Sequence, residues 1–501
     1  MNIFSLQIIQ RAKTCFCVLV TLLFLSNLAF AQTQTAPNKP QVDSTKKTVT
    51  TPPPGTTPSP LSHNTVKDAP KPDDVSGRTD EGKDAGDGWR WGPRILLFPL
   101  RVVGEILIFP IRGALWLTET QAIVPRAKSI FFNSEGTFGL FPTALVETGF
   151  GLNVGARLVI RELYRDTAIS GRAGFGGRFS RILALNINTK ESFDFAEFQF
   201  EAMHEVRPFE RFFGIGNSDE LEVQPISNLD PFGEDGFETR FRLNATRIFL
   251  KANLKTKSNW GLQYSSAFWN RDYDDARDGI SQEEQLAENF DVDEVTNFES
   301  GNTSIYNELE LSYDARVTPS RWEPLSTPST GWYAAAFAGY MAGLNDDSGN
   351  YFRLGFDLQR YFRLHKGPRF LALRLLGEHV TGDYEDIAFT DLPVLGGRTE
   401  LRGYAIDRFR DRTAVLGSAE YQWDIADILH GFIFVDTGRV YSSLDDLGVS
   451  DLRLGFGGGI QAHTRNGYLG RMILSSSKDG GLFFYLSFDP IYETRNRIQR
   501  R

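Results

Sequence analysis

The residues with the clearest chemistry in this chain are one arginine and two acids that follow it. Arg402 belongs to the tetrapeptide Leu401-Arg402-Gly403-Tyr404, inside a long predicted loop from Gly382 to Asp411, and Glu420 and Asp436 lie on the next two predicted strands. A guanidinium is a planar fork that donates in parallel to carboxylates. We therefore expect Arg402 to bridge the two acids rather than to lie in solvent.

The alternation of these strands predicts that both acids point the same way. Side chains two positions apart share a face of a strand, so Phe434 and Gly438 share the face of Asp436. The face opposite Glu420 carries Tyr421 and other apolar residues, which suits lipid. Both carboxylates would then face one interior, reached from neighbouring strands.

The two residues after Arg402 suit a loop that folds back into that interior. Gly403 permits a close backbone approach or a positive φ. Tyr404 would wedge against the inner wall. Each half-buried charge would need its partner, because breaking a buried pair is strongly destabilising.

No residue pattern in the sequence indicates catalysis. A glycine-rich phosphate loop, a zinc-ligand spacing and a nucleophile elbow are all missing, so we predict no enzyme, no catalytic residue, no cofactor and no metal. The formal net charge is −9, which argues against nucleic acid as a partner.

Repeated alternation of polar and apolar residues predicts the elements that position this site. It indicates an all-β fold, a sixteen-stranded antiparallel transmembrane β-barrel over residues 130–490, because a wall between lipid and a wet lumen alternates in this way. A soluble β-sandwich also alternates and is the alternative. The predicted strands are 135–147, 152–161, 167–177, 180–190, 192–206, 236–254, 257–271, 303–316, 330–342, 350–364, 367–381, 412–424, 429–443, 451–464, 466–478 and 481–489.

The predicted connections agree with an even number of strands. The three longest, 207–235, 272–302 and 382–411, follow strands five, seven and eleven. All three therefore fall at the same end of the barrel, as long extracellular loops should.

The segment before the barrel has two parts that do not look like a folded domain. Residues 1–31 resemble a secretory signal peptide, with an apolar stretch from Cys15 to Leu25 and the small residues Ala29 and Ala31 at its end. An uncleaved membrane anchor is the alternative. Residues 32–88 are rich in proline and threonine, and their composition predicts a disordered linker.

Residues 89–128 predict a short amphipathic helical segment with a narrow charged stripe. On a helix, five charged residues repeat within about 20° of one line. They are Arg94, Arg101, Glu105, Arg112 and Glu119. We expect this segment to lie on the inner membrane surface or in the barrel mouth, and a soluble helical hairpin is the alternative. At the other end, residues 491–501 form a basic tail, for which we expect disorder rather than docking.

Three of these elements resemble the Omp85 superfamily, the group that contains the surface-antigen D15 domain. Leu401-Arg402-Gly403-Tyr404 is similar to its (V/I/L)RG(F/Y) motif in the sixth extracellular loop. Phe434-Val-Asp436-Thr-Gly438 is similar to its F-x-D-x-G on strand thirteen, and Glu420 stands where the family carries an acid on strand twelve. The resemblance covers residues 130–490.

The resemblance implies a place and a task. The place is the outer membrane of a Gram-negative bacterium, with the N-terminal linker and C-terminal tail in the periplasm. The task is outer-membrane biogenesis by protein insertion, polypeptide translocation or lipid movement. The implied partners are outer-membrane lipids and lipopolysaccharide, a client outer-membrane or secreted protein, and a periplasmic partner bound through residues 32–128. The family's usual POTRA repeats do not fit before the barrel, so the chain resembles a POTRA-less branch. A passive pore or structural barrel is the alternative.

Overall fold

The structure is a computed structural model, and it describes most of the chain from residue 130 onward. The described residues are 130–147, 151–176, 180–217, 220–223, 238–256, 258–276, 285–318, 328–364, 369–426, 429–464, 467–487 and 492. The predicted signal peptide (1–31), linker (32–88) and amphipathic segment (89–128) lie outside these ranges. Within them, no helix has the length and apolar character that a membrane crossing needs.

Twenty strands make up nearly all the regular structure of the described ranges. In chain order they are β1 Phe138–Glu147, β2 Gly151–Ile160, β3 Ala168–Gly176, β4 Ser180–Asn188, β5 Ala196–Phe212, β6 Ile215–Asn217, β7 Glu220–Val223, β8 Thr239–Leu254, β9 Trp260–Asp275, β10 Asn302–Asp314, β11 Gly331–Gly343, β12 Tyr351–Arg363, β13 Phe370–Val380, β14 Val394–Leu395, β15 Phe409–Arg410, β16 Thr413–Ala426, β17 Leu429–Tyr441, β18 Arg453–Thr464, β19 Gly467–Ser477 and β20 Gly480–Ser487. A single-turn helix, α1 (Leu286–Asn289), precedes β10.

Sixteen of the strands form one antiparallel sheet, which we call the wall. Its order is β1-β2-β3-β4-β5-β8-β9-β10-β11-β12-β13-β16-β17-β18-β19-β20. Each wall strand pairs with the wall strand that follows it in the chain, and among the described residues no ladder joins β20 back to β1. The all-β class, the antiparallel order and the number of strands are as the alternation predicts, so the predicted fold class is confirmed.

Burial along the wall is the reverse of that in a soluble protein. In β12, Arg353 is 6% exposed, whereas the adjacent Leu354 is 42% exposed. Asp357 and Gln359 share the buried face with Arg353, and Phe356 lies on the exposed one. A β-sandwich would bury its apolar face against a shared core. Charged residues inside and apolar residues outside are what a wall between hydrocarbon and a polar interior requires.

The predicted strand ends differ from the observed ones mainly in β5 and β9. The predicted strands stop at 206 and 271, whereas β5 runs to Phe212 and β9 to Asp275. The ladder between β5 and β8 shifts register between Arg207 and Glu210. Pro208 therefore sits in a bulge, where its missing N–H costs no ladder hydrogen bond, and pairing resumes beyond it.

The polar, buried side of the wall, which we call the bore, faces the described parts of the long connections. Residues 213–238, 276–301 and 381–412 all join strands at one end of the wall, which we call the loop end. Asn217, just beyond β5, donates to the backbone oxygen of Val440 in β17 at 2.6 Å, although the two strands stand eight places apart in the sheet. The wall must therefore curve round this contact.

Candidate functional site: the loop of residues 381–412 in the bore

The connection from β13 to β16, which we call the crossing loop (residues 381–412), turns back on itself inside the bore. It contains two short 3-10 helices, Tyr384–Asp386 and Phe389–Asp391, and the strands β14 and β15. Gly396 and Gly397 have φ values of 125° and 102°, in the region that glycine tolerates best. The turn lets the N–H of Gly397 donate to the Tyr404 oxygen at 3.1 Å, which presents the tetrapeptide to the wall.

Arg402 lies between the two acids of neighbouring wall strands. Its Nε and Nη2 donate to the two carboxylate oxygens of Asp436 in β17, each at 2.8 Å. Its Nη1 donates to Glu420 in β16 at 2.5 Å. The backbone N–H of Arg402 also donates to Asp436, at 2.9 Å. The planar guanidinium thus donates two parallel hydrogen bonds to Asp436 and a single one to Glu420.

A second arginine completes the group. Arg471 in β19 donates to the other oxygen of Glu420 at 2.5 Å, and Gln422 donates to that same oxygen at 2.7 Å. Glu420 and Asp436 are both 0% exposed, so each buried negative charge is compensated by direct hydrogen bonds. Two arginines and two acids give a neutral cluster, which we call the clamp (Arg402, Glu420, Asp436, Arg471).

Arg402 stays charged in this setting. Burial by itself lowers the pKa of Arg402, but the carboxylates of Asp436 and Glu420 more than reverse that, so the pKa lies above its usual value. Phe434 adds a further contact, since the guanidinium carbon of Arg402 lies 3.6 Å from the centre of its ring. A cation over an aromatic face is stabilised by the ring's negative quadrupole.

The rest of the tetrapeptide holds Arg402 in place. The Leu401 side chain is fully buried at a φ of 55°, which is unusual for leucine and costs backbone strain. Gly403 has a φ of 105°, and a Cβ there would overlap the backbone oxygen of Ser476. The Tyr404 hydroxyl donates to Asp479 at 2.8 Å, beyond the end of β19. The loop is therefore attached to the wall on both sides of Arg402.

Gly438 provides space for the same loop. A Cβ at Gly438 would lie 2.7 Å from the backbone oxygen of Val415 and 3.1 Å from the side chain of Leu395 in β14. The glycine thus lets the crossing loop approach β17 closely. The structure places all eight predicted clamp and motif residues (Leu401, Arg402, Gly403, Tyr404, Glu420, Phe434, Asp436 and Gly438) in one buried region.

Two residues that contribute to this region belong to none of the sequence motifs. Arg471 lies three strands away from Glu420 in the wall, about 14 Å at the usual strand spacing. The register of neighbouring strands therefore could not have predicted this contact. Gly455 in β18 lies against the backbone oxygen of Arg402, where a Cβ would not fit. The run of glycines at 455 and 457–459 was the available signal, because glycine in a strand often marks a close approach.

One residue of the C-terminal tail lies inside the bore. Tyr492 is 7% exposed and belongs to a buried cluster with Tyr361, Phe370 and Ala372. Its hydroxyl donates to the Ala372 oxygen at 3.3 Å, and Gln359 donates to its backbone oxygen at 3.4 Å. We predicted disorder for the tail, but Tyr492 is ordered because its aromatic ring packs against apolar side chains in the bore. The other residues of the tail (491 and 493–501) lie outside the described ranges.

The predicted amphipathic stripe belongs to the N-terminal segment of residues 89–128. Arg94, Arg101, Glu105, Arg112 and Glu119 lie outside the described residues. Over the described ranges, no group of three or more His, Cys, Asp or Glu side chains is arranged to hold a metal ion. What the clamp can do chemically is hold a loop by charge and hydrogen bonds.

Comparison with known proteins gives one family and several distant structures. Residues 232–467 match the family model of the Omp85 superfamily domain. No curated protein matches the chain. It is similar to BamA from Haemophilus ducreyi lacking POTRA domains 1–3, at 12% identity and a TM-score of 0.47 over 70% of each chain. It is also similar to CdiB from Acinetobacter baumannii (9% identity, TM-score 0.40, 70% of this chain and 58% of that one) and CdiB from Escherichia coli (11%, 0.42, 70% and 61%).

Proposed function

Because this chain belongs to the Omp85 superfamily, we propose that it works in outer-membrane biogenesis, by inserting proteins, translocating a polypeptide or moving lipid. The wall stands in the outer membrane of a Gram-negative bacterium, with both chain ends in the periplasm. The loop end faces outward and contacts lipopolysaccharide. A periplasmic partner binds through residues 32–128. The proposal involves no catalytic step.

The observation that supports the proposal is the set of hydrogen bonds from Arg402 in the crossing loop to Glu420 and Asp436 in the wall. A barrel built for passive flow has no need of a loop held against its inner face, whereas here Arg402 of the crossing loop pairs with Glu420 and Asp436, and both carboxylates are fully buried. The cost of breaking such buried pairs supports a device that holds the loop in a defined position. Work on a large client would then take place at the edge of the wall, where β1 and β20 have no mutual ladder among the described residues.

Depletion of the protein in living cells tests this function. We expect outer-membrane proteins, secreted polypeptides or surface lipids to decline as the protein is depleted, and a plasmid-borne wild-type copy to restore them. A copy with Arg402→Ala should restore them less well. An unchanged outer membrane after depletion would contradict the proposal.

The alternative is a passive pore or structural barrel, and it predicts a different pair of results. The purified barrel would conduct ions steadily in planar bilayers, and its depletion would leave the assembly of the outer membrane intact. The buried polar lining of the wall, with residues such as Arg353 and Asp357 facing the bore, is the feature that favours this reading. The two functions are separated by measuring conductance and assembly on the same protein.

A further inference from the structure

The crossing loop has a second set of buried polar contacts, away from the clamp. Asp391 is 2% exposed and ends the 3-10 helix Phe389–Asp391. It accepts hydrogen bonds from Arg271 in β9 at 2.7 Å and from the Tyr351 hydroxyl in β12 at 2.8 Å. An ion pair with both partners this deeply buried is costly to break on one side only.

An aromatic contact stands next to this ion pair. Phe389 is fully buried, and its ring lies edge-on to Phe212 and Phe241 at centroid distances of 5.5 and 5.3 Å and 4.8 Å from Tyr273. The hydroxyls of Tyr273 and Thr390 are 2.6 Å apart. Aromatic pairs in such tilted and edge-on arrangements stabilise beyond the area they bury. We call Phe389, Thr390 and Asp391 with these partners the second anchor.

The second anchor and the clamp hold different stretches of the wall. The second anchor contacts β5, β8, β9 and β12, which are the fifth, sixth, seventh and tenth strands of the wall, whereas the clamp contacts β16, β17 and β19, the twelfth, thirteenth and fifteenth. Arg271 lies four residues from the loop end of β9, and Asp436 lies about halfway along β17. The loop therefore runs from one stretch of the wall, contacted near the loop end, to another stretch, contacted about halfway along its strands.

Other contacts continue this span across the mouth. A four-stranded sheet in the order β14-β15-β6-β7 joins the crossing loop to the connection after β5. Arg410 in β15 donates to the Phe389 oxygen at 2.7 Å, and Asn217 in β6 is hydrogen-bonded to Val440 in β17 through both its amide nitrogen and its amide oxygen. Both loops are thus attached to both of these stretches of the wall.

We propose that Asp391 is a positioning residue that anchors the crossing loop independently of Arg402, so that the loop end stays shut when the clamp is broken. The inference rests on the same loop as the proposed function but concerns the closed state of the bore, not the client. If the loop must leave both anchors before the bore opens, the free energies of the two anchors add and their effects on the open fraction multiply. Breaking either one leaves the bore mostly closed, and breaking both opens it.

The test is ion conductance of the purified full-length barrel in planar bilayers, which needs no client. The variants are Arg402→Ala, Asp391→Asn and the two together. A matched control combines Arg402→Ala with Asp357→Asn, which breaks a buried pair with Arg374 between two adjacent wall strands. That control carries similar damage to buried charges but leaves the second anchor intact. Glu385→Gln, an exposed acid of the same loop, is the neutral control.

The expected result is a mean current several-fold larger in the Arg402→Ala, Asp391→Asn double variant than in either single variant or in the Asp357→Asn control. Three results would overturn the proposal. Arg402→Ala alone could conduct as much as the double variant, which would make the clamp the sole attachment. The Asp357→Asn control could conduct as much, which would assign the effect to general loosening. The double variant could stay as closed as the wild type. None of these results depends on whether the protein inserts or exports a client.

Discussion

Replacing Arg402 with alanine removes three side-chain hydrogen bonds from two carboxylates that are fully buried. The two acids are affected unequally. Glu420 keeps Arg471 and Gln422 as donors, whereas Asp436 loses its parallel bonds and keeps only the backbone N–H of residue 402. Asp436 would therefore be left as a buried charge without a counter-charge. This loss accounts for most of the expected fall in the free energy of unfolding.

The size of the effect follows from that loss. Breaking one side of a buried pair costs about 3–5 kcal/mol. The stretch from Phe138 to Ser487, strands and connections together, contains roughly 350 residues, and an unfolding entropy of about 2.1 cal/mol/K per residue converts that cost into a drop of about 4–7 °C in the thermal midpoint. Arg402→Lys should fall between wild type and alanine, because it keeps the charge but loses the fork.

The assay is the temperature at which the folded, compact band converts to the unfolded band on a gel, read for purified protein in one detergent. The matched control is Arg398→Ala, which removes an exposed arginine from the same loop. Trypsin sensitivity of the crossing loop provides a second readout. If Arg402→Ala melts within about 1 °C of the Arg398→Ala control, less than 1 kcal/mol separates them and the clamp does not carry the stability assigned to it.

Three further substitutions have expected outcomes of their own. Gly403→Ala should lower the thermal midpoint about as much as Arg402→Ala, because its Cβ meets the Ser476 oxygen at a φ of 105°; an unchanged midpoint would contradict that close approach. Asn217→Ala should lower the midpoint less than Arg402→Ala and should speed tryptic cleavage of the loop end, since it loses two uncharged hydrogen bonds to Val440, and equal cleavage rates would count against this. Tyr492→Ala should speed tryptic trimming at the arginines that follow it, and trimming at the wild-type rate would show that its burial does not restrain the tail.

The strands of the wall could be predicted from the sequence because they follow one simple pattern. A strand between lipid and a polar bore must alternate, and Phe352 to Gln359 shows the alternation in the sequence and the reversed burial in the structure. The last six residues of β5 (207–212) could not be predicted from alternation. Pro208 and the bulge around it interrupt the alternation, and only the ladder with β8 shows that the strand continues.

The clamp and the second anchor differ in how far the sequence leads to them. Glu420 and Asp436 belong to adjacent strands, so register alone predicts a common face, and an arginine in a loop that ends where the first of these strands begins is a natural partner. Asp391 carries no such signal. Its partners in β9 and β12 lie 120 and 40 residues away along the chain, and their meeting depends on how the wall curves around the loop. Long-range contacts that curvature creates are not encoded in local alternation.

The most direct test of the central claim is photo-crosslinking in living cells from the edge of the wall. A photoreactive residue replaces Leu140 in β1, and the comparison position is Leu309 in β10, because the two leucines are 55% and 53% exposed but stand seven strands apart. If the protein handles macromolecules at this edge, position 140 crosslinks to outer-membrane or secreted polypeptides, position 309 does not, and Arg402→Ala weakens the products. Equal yields at the two positions, or crosslinks to lipid alone at both, would contradict it.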